Sequence, residues 1–181
     1  MEDGFVADEM VEMPLAQTDR KSLVKAMGQC QIGMADALDR LKPDILVVLG
    51  DRYELLPICS SAVVMNIPIA HISGGDITEG AIDEQIRHAI SKMAWVHFPG
   101  NIDSASRILR MGESLGRVFS VGEVGLDALR RAEPCSKLDI AADLGLNIDT
   151  KWVLLTYHPE TMGSIDVDLD RVKNVVEFLL T

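Results

Sequence analysis

Residues 45–54, Ile45-Leu46-Val47-Val48-Leu49-Gly50-Asp51-Arg52-Tyr53-Glu54, decide the fold. An unbroken apolar run rich in β-branched side chains suits a strand buried on both faces, and such strands belong to parallel sheets. Gly50 ends the run and lets the chain turn sharply, so that Asp51 projects from the carboxyl edge of the sheet. Amphipathic stretches lie on either side, residues 18–41 before and 54–65 after. The same alternation continues along the chain, which is the pattern of an α/β protein built on a parallel sheet.

Working outward, strands are expected at residues 5–13 (weak and mixed in polarity), 45–49, 67–71, 95–98, 118–121 and 152–157. Helices are expected at 18–41, 54–65, 83–92, 102–111, 125–132 and 166–180, with a further short one within 138–146. In the first helix Leu23, Ala26, Met27, Cys30, Met34, Ala37, Leu38 and Leu41 recur at three- and four-residue steps. That stripe is a core face, its methionines serving as adaptable packing.

A chain of 181 residues can bury one sizeable core. The expected division is a Rossmann-like domain over residues 1–132, a linker over 133–150 where Glu133-Pro134-Cys135-Ser136 breaks the pattern, and the opening βα unit of a second domain over 151–181. The first strand is polar and no helix precedes it, so upstream βα units are expected to be missing, and the second domain is expected to be mostly absent. The sequence shows no internal repeat and no low-complexity segment.

Composition narrows the function classes. No apolar run approaches the roughly 18 residues of a membrane span, and the acidic start Met1-Glu2-Asp3-Gly4 is unlike a secretory signal, so a cytoplasmic location is expected. Cys30, Cys59 and Cys135 are odd in number and widely spaced. Neither disulfides nor a structural metal are expected, because no Cys or His pair has zinc-site spacing. A formal net charge of −11 argues against nucleic acid and anionic membranes as partners. A phosphorylated small molecule remains compatible, since a few local cations and backbone N–H groups suffice to hold it.

Polar residues cluster in three places past the ends of apolar strands, where open α/β sheets bind ligands. The first is Gly50-Asp51-Arg52. Asp51 reads either as an N-cap for the next helix or as a functional carboxylate, and Arg52 as a partner for Asp51 or a phosphate ligand. The second is the loop from His71 to His88, with three glycines and four carboxylates. Ser73, Gly74, Gly75 and Asp76 are its candidate substrate contacts, the glycine pair permitting close backbone approach. On the following helix Asp83 stands four residues before Arg87 and Glu84 four before His88, and an exposed, capped helix start explains those charges as readily as a site does. The third is Thr156-Tyr157-His158-Pro159-Glu160, where His158 is either structural or placed at a cleft rim.

Taken together, LKPDILVVLGDRYELL (41–56), NIPIAHISGGDITEGAIDEQIRHAISKMAWVHF (66–98), VFSVGEVGLD (118–127) and LLTYHPET (154–161) resemble the UDP-N-acetylglucosamine 2-epimerases, in particular their hydrolysing branch. The resemblance runs from about residue 3 to the end. It implies the N-terminal domain of a two-domain, GT-B-like enzyme with a sugar nucleotide between the domains, no cofactor, and a homo-oligomer at full length. By itself the chain is expected to bind UDP-sugar poorly or not at all. Carried over by motif, Asp51 and Asp83 are the catalytic carboxylates and His158 the second-domain histidine, with Arg52, Arg87 and His88 among the substrate contacts. One departure stands out. The family often has a glutamate two residues after the histidine of its HIxGG motif, and this chain has Ser73, so that role is lost or passes to a neighbour such as Asp76 or Glu79.

The activity the resemblance implies is conversion of UDP-N-acetylglucosamine to N-acetylmannosamine and UDP, by anti-elimination through a 2-acetamidoglucal and then hydration. Alternatives are the non-hydrolysing epimerase, a relative acting on a UDP-diacetamido sugar, and a non-catalytic fragment.

Overall fold

A computed structural model describes residues 4–14, 19–157 and 165–180. The chain separates into two compact units, Met1–Glu123 and Val124–Thr181. In the first, α1 (Arg20–Leu41), β1 (Leu46–Leu49), α2 (Leu55–Val64), β2 (Ile69–Ile72), α3 (Ile82–Met93), β3 (Val96–Phe98) and α4 (Ile102–Arg110) alternate, followed by a single 3-10 turn at Leu115–Arg117.

Local chemistry sets the ends of α1. The Asp19 carboxylate accepts from the backbone N–H groups of Lys21 and Ser22 at 2.9 and 3.1 Å, satisfying two donors that have no partner inside the helix. At the other end Lys42 turns left-handed, with φ 46°, just before Pro43, which has no N–H to continue the ladder. Ala26, Cys30, Ala37 and Leu38 are buried, whereas Leu41 at the end of the expected stripe is 48% exposed.

The three strands are all parallel in the order β1-β2-β3, with Leu46 opposite Ile69, Val48 opposite His71, and His71 opposite His97. Because side chains alternate along a strand, Leu46, Val48, Ile69, His71 and His97 share one face. Leu38, Val48, Cys59, Ala62, Ile69, Ile86 and Ile90 form the core between that face and the helices. Burying a side chain such as Ile69 or Ile90 contributes about 1.5–3 kcal/mol. Small residues on α2, Cys59 and Ala62, let α1 and α2 pack closely; burial pushes the Cys59 thiol up to about 12.

Three expected strands do not form. Residues 5–13 run without strand pairing along α1, where Val11 packs on Gly33 and Glu9 pairs with Arg40; Glu9 interrupts the alternate apolar positions Phe5, Ala7, Val11 and Met13, and no described strand pairs with them. Residues 118–121 make one parallel bridge, Val118 to His97, with Phe119 N–H donating to the His97 carbonyl and Val121 N–H to that of Pro99. This adds a fourth extended segment beside β3 that is too sparsely bonded to be a strand. Residues 152–157 form no strand with the other described residues and are largely exposed, Leu154 at 94%.

The second unit contains α5 (Gly125–Arg131), α6 (Lys137–Leu144) and α7 (Ile165–Leu180). The Ser136 hydroxyl caps α6 by accepting from Asp139 N–H at 3.1 Å, and Gly145 ends it left-handed. Among the described residues no helix is long and apolar enough to cross a membrane.

Candidate active site

Parallel strands deliver their following loops to one edge. Gly50-Asp51 follows β1, Ser73 to Ala81 follows β2, Pro99-Gly100 follows β3, and Glu123 follows the fourth extended segment. The first turn of α3 lies at the same carboxyl edge, because the helix begins where the β2 loop ends.

Asp51 does not cap α2. That helix starts after Glu54, with no side-chain cap, and the Asp51 carboxylate is instead ion-paired with Arg87 of α3, 36 residues further on. The same Arg87 nitrogen also donates to the Thr78 hydroxyl at 3.0 Å. The Asp51 side chain is 22% exposed and that of Arg87 only 9%. The other terminal guanidinium nitrogen, Nη1, is buried with no hydrogen-bond partner among the described residues. A buried charged donor without a partner is costly, which is why such groups concentrate where a ligand or water completes the set.

The expected helical pairing of Asp83 with Arg87 is therefore not made. Arg87 is long enough to cross to the partly buried Asp51, where a charge-assisted bond is stronger than at the helix surface. Asp83 is half-buried with no side-chain partner among the described residues. The other expected pair is present only at 4.0 Å, between His88 Nε2 and Glu84; Glu84 also accepts from Thr78 N–H at 3.0 Å. Arg52 does not pair with Asp51: it makes a two-point pair with Glu54, at 2.8 and 3.2 Å.

The turn bearing Asp51 is held from below. His71 is fully buried on β2, its Nε2 lying 2.8 Å from the Gly50 carbonyl and its Nδ1 3.2 Å from Ser91 Oγ on α3. A carbonyl can only accept, so Nε2 carries the proton and Nδ1 accepts from the serine hydroxyl. Burial pushes His71 down to about 4, which keeps the ring neutral in that tautomer. The alternation in IPIAHI, which puts His71 on the same face as Ile69, already pointed inward, although the partner 21 residues upstream was not legible.

The glycine pair has an internal explanation. A Cβ on Gly74 would come within 2.7 Å of His71 Nδ1 and 2.9 Å of Ser91 Oγ; one on Gly75, whose φ is +80°, would come within 2.5 Å of the Ser104 carbonyl and 2.8 Å of Ile108. Glycine is needed here so the β2 loop can pack on α3 and α4, and Arg107 secures it by donating to the Gly75 carbonyl. Asp76 is exposed and reaches the Ser104 hydroxyl only at 3.5 Å. Ser73, left-handed at φ 57°, donates its hydroxyl to Glu123 at 3.3 Å. Glu123 lies within the VFSVGEVGLD motif but is remote in sequence from every residue singled out above, and the fold alone brings it to Ser73. His158 lies outside the described residues.

Beneath the site, His97 is buried beside His71 and faces Glu113 at 3.4 Å, which is also paired with Lys92. Among the described residues no group of three or more His, Cys, Asp or Glu side chains could hold a metal ion.

Residues 1–180 match the family described as UDP-N-acetylglucosamine 2-epimerase. The chain is 38% identical over 163 residues to the GDP/UDP-N,N'-diacetylbacillosamine 2-epimerase (hydrolyzing) of Campylobacter jejuni, covering 90% of this chain and 42% of that protein. It is 34% identical to the UDP-N,N'-diacetylbacillosamine 2-epimerase (hydrolyzing) of Legionella pneumophila, covering 94% and 45%. The chain thus spans less than half the length of these two relatives. A crystal structure of the Methanocaldococcus jannaschii UDP-GlcNAc 2-epimerase in complex with UDP-GlcNAc and UDP matches with a TM-score of 0.56 at 25% identity, over 65% of this chain and 32% of the other.

Proposed function

This chain belongs to the UDP-N-acetylglucosamine 2-epimerase family, and on that premise we propose that it contributes the acid/base half of a hydrolysing epimerase acting on a UDP-linked 2-acetamido sugar. The observation that carries this reading is the Asp51–Arg87 pair, which joins the turn after β1 to the helix after β2 at the sheet's carboxyl edge. Asp83 stands one helical turn before Arg87, its carboxylate free of a partner among the described residues.

The proposed reaction breaks two bonds. The C2–H electron pair becomes the C1–C2 double bond as the C1–O pair leaves with UDP, and water then adds across the glycal with the opposite configuration at C2. Positive charge develops at the anomeric carbon, so a fixed anion nearby stabilises the transition state more than the ground state. Asp51, fixed in place by Arg87, suits that role. Asp83 suits proton transfer. Arg87 Nη1 offers an unused donor to a substrate oxygen. His158 is assigned to the leaving diphosphate on the family resemblance.

Two substrates fit. The names of the Campylobacter and Legionella relatives favour a 2,4-diacetamido UDP-sugar, while the motif resemblance favours UDP-N-acetylglucosamine. Incubating the full-length protein with each and identifying the products decides between them. The expected result is release of UDP and the free 2-epimerised sugar, with Asp51→Asn slower by about 10²–10³-fold for loss of one electrostatic stabiliser. An interconverted UDP-sugar without free sugar makes the enzyme non-hydrolysing. No consumption of either substrate refutes an epimerase role.

A further inference from the structure

The β2 loop lacks a carboxylate where the family often has one, and the fold supplies another at that place. Ser73, the second residue after His71, donates its hydroxyl to Glu123 Oε2 at 3.3 Å from 50 residues away. Three backbone contacts fix this meeting. Ser73 N–H donates to the Phe98 carbonyl at 3.0 Å, Phe119 N–H to His97, and Val121 N–H to Pro99, which places the chain just before Glu123 alongside the end of β3. To reach Ser73 the Glu123 side chain crosses over Gly100, and a Cβ there would fall inside its carboxyl group. Glycine at position 100 thus leaves open the passage that the carboxylate occupies. Glu123 itself is exposed, and its carboxylate faces a neutral hydroxyl with no cation paired to it among the described residues. Asp51, by contrast, is occupied by Arg87.

We propose that Glu123 is a catalytic base of this enzyme, standing in from the fourth extended segment for the carboxylate absent at Ser73. The assignment rests on the epimerase reading above. In the elimination, the Glu123 carboxylate takes the C2 proton and becomes a carboxylic acid, the C2–H pair forms the double bond, and the C1–O pair departs on UDP. Glu123 then loses that proton to solvent, matching the extra negative charge on the departed diphosphate. In the hydration, an acid on the opposite face protonates C2 and is restored by the proton left when water's oxygen bonds to C1.

The test uses the full-length enzyme with whichever UDP-sugar the wild type consumes. Glu123→Gln keeps the size of the side chain and its hydrogen bond to Ser73, and Glu123 is exposed, so folding and the affinity for UDP should stay within about threefold of wild type while kcat falls by about 10²–10⁴-fold. The double variant S73E/E123Q returns a carboxylate to the β2 loop and should recover at least about tenfold of the loss, since restoring a general base is worth a rate factor of this order. An E123Q enzyme that keeps more than roughly a tenth of wild-type kcat, well outside the range expected for loss of a general base, overturns the assignment, as does a double variant no faster than E123Q. A wild-type protein that consumes no UDP-sugar overturns the epimerase reading and this one together, a result distinct from an active wild type with an active E123Q.

Discussion

The buried His71 makes the stability of this fold depend on pH in a way that one substitution can isolate. In the folded chain the ring is neutral and held near 4, against about 6.5 in the unfolded chain. Between those two values the unfolded chain binds a proton that the folded chain refuses, so stability is complete above about pH 6.5 and declines as pH falls. The loss is about 2 kcal/mol at pH 5 and levels off near 3 kcal/mol below about pH 4, where the folded ring protonates as well. Protonation would also place a hydrogen on Nδ1, turning the acceptor that faces Ser91 into a second donor. The comparison is His71→Gln, which retains an N–H for the Gly50 carbonyl but cannot titrate. Urea denaturation of both proteins at pH 7.5 and pH 5 separates this effect from the carboxylates and from His97, which are common to the two. His71→Gln should be less stable at pH 7.5, and the gap should narrow by about 2 kcal/mol at pH 5. A gap that is the same at both pH values would refute the claim that His71 is folded in the neutral form.

Two further outcomes follow from the site. Arg87→Met should destabilise the fold by about 1–3 kcal/mol, below the full cost of orphaning a buried charge because water reaches the partly exposed Asp51; combining it with Asp51→Asn should cost less than the sum of the two, and additive melting shifts would mean the pair is not coupled. Gly75→Ala should lower stability by about 2–4 kcal/mol, since the new methyl meets the Ser104 backbone carbonyl at a left-handed φ and backbone cannot swing aside. Thermal unfolding measures it, and a loss comparable to that of an exposed glycine such as Gly112 would contradict the packing described here.

The family resemblance was readable from motifs because parallel-sheet proteins place their chemistry in short loops after apolar strands, and those loops keep their order in the chain. The geometry of the candidate site was only partly readable. Asp51 and Asp83 could be named, but the helical spacing suggested that Arg87 would pair with Asp83, and it pairs with Asp51 instead. The i,i+4 spacing of two charges marks them as neighbours on a helix surface; it does not record a competing partner on another element. The Gly74-Gly75 pair could be seen as unusual, yet its requirement comes from His71, Ser91, Ser104 and Ile108, which lie on β2, α3 and α4.

What the sequence determined by itself was the run of elements from α1 to α4 and the edge of the sheet at which the polar loops gather, because hydrophobic period and turn residues act locally. Weak or edge segments escaped it: residues 5–13, 118–121 and 152–157 have strand-like composition, but a strand exists only when a neighbour supplies hydrogen bonds, and that is a property of the whole fold. The tertiary structure alone decided that His71 supports the Asp51 turn and that Glu123 meets Ser73. Both contacts join residues on different strands or loops, 21 and 50 positions apart, and nothing in a linear pattern records which loops a sheet brings side by side.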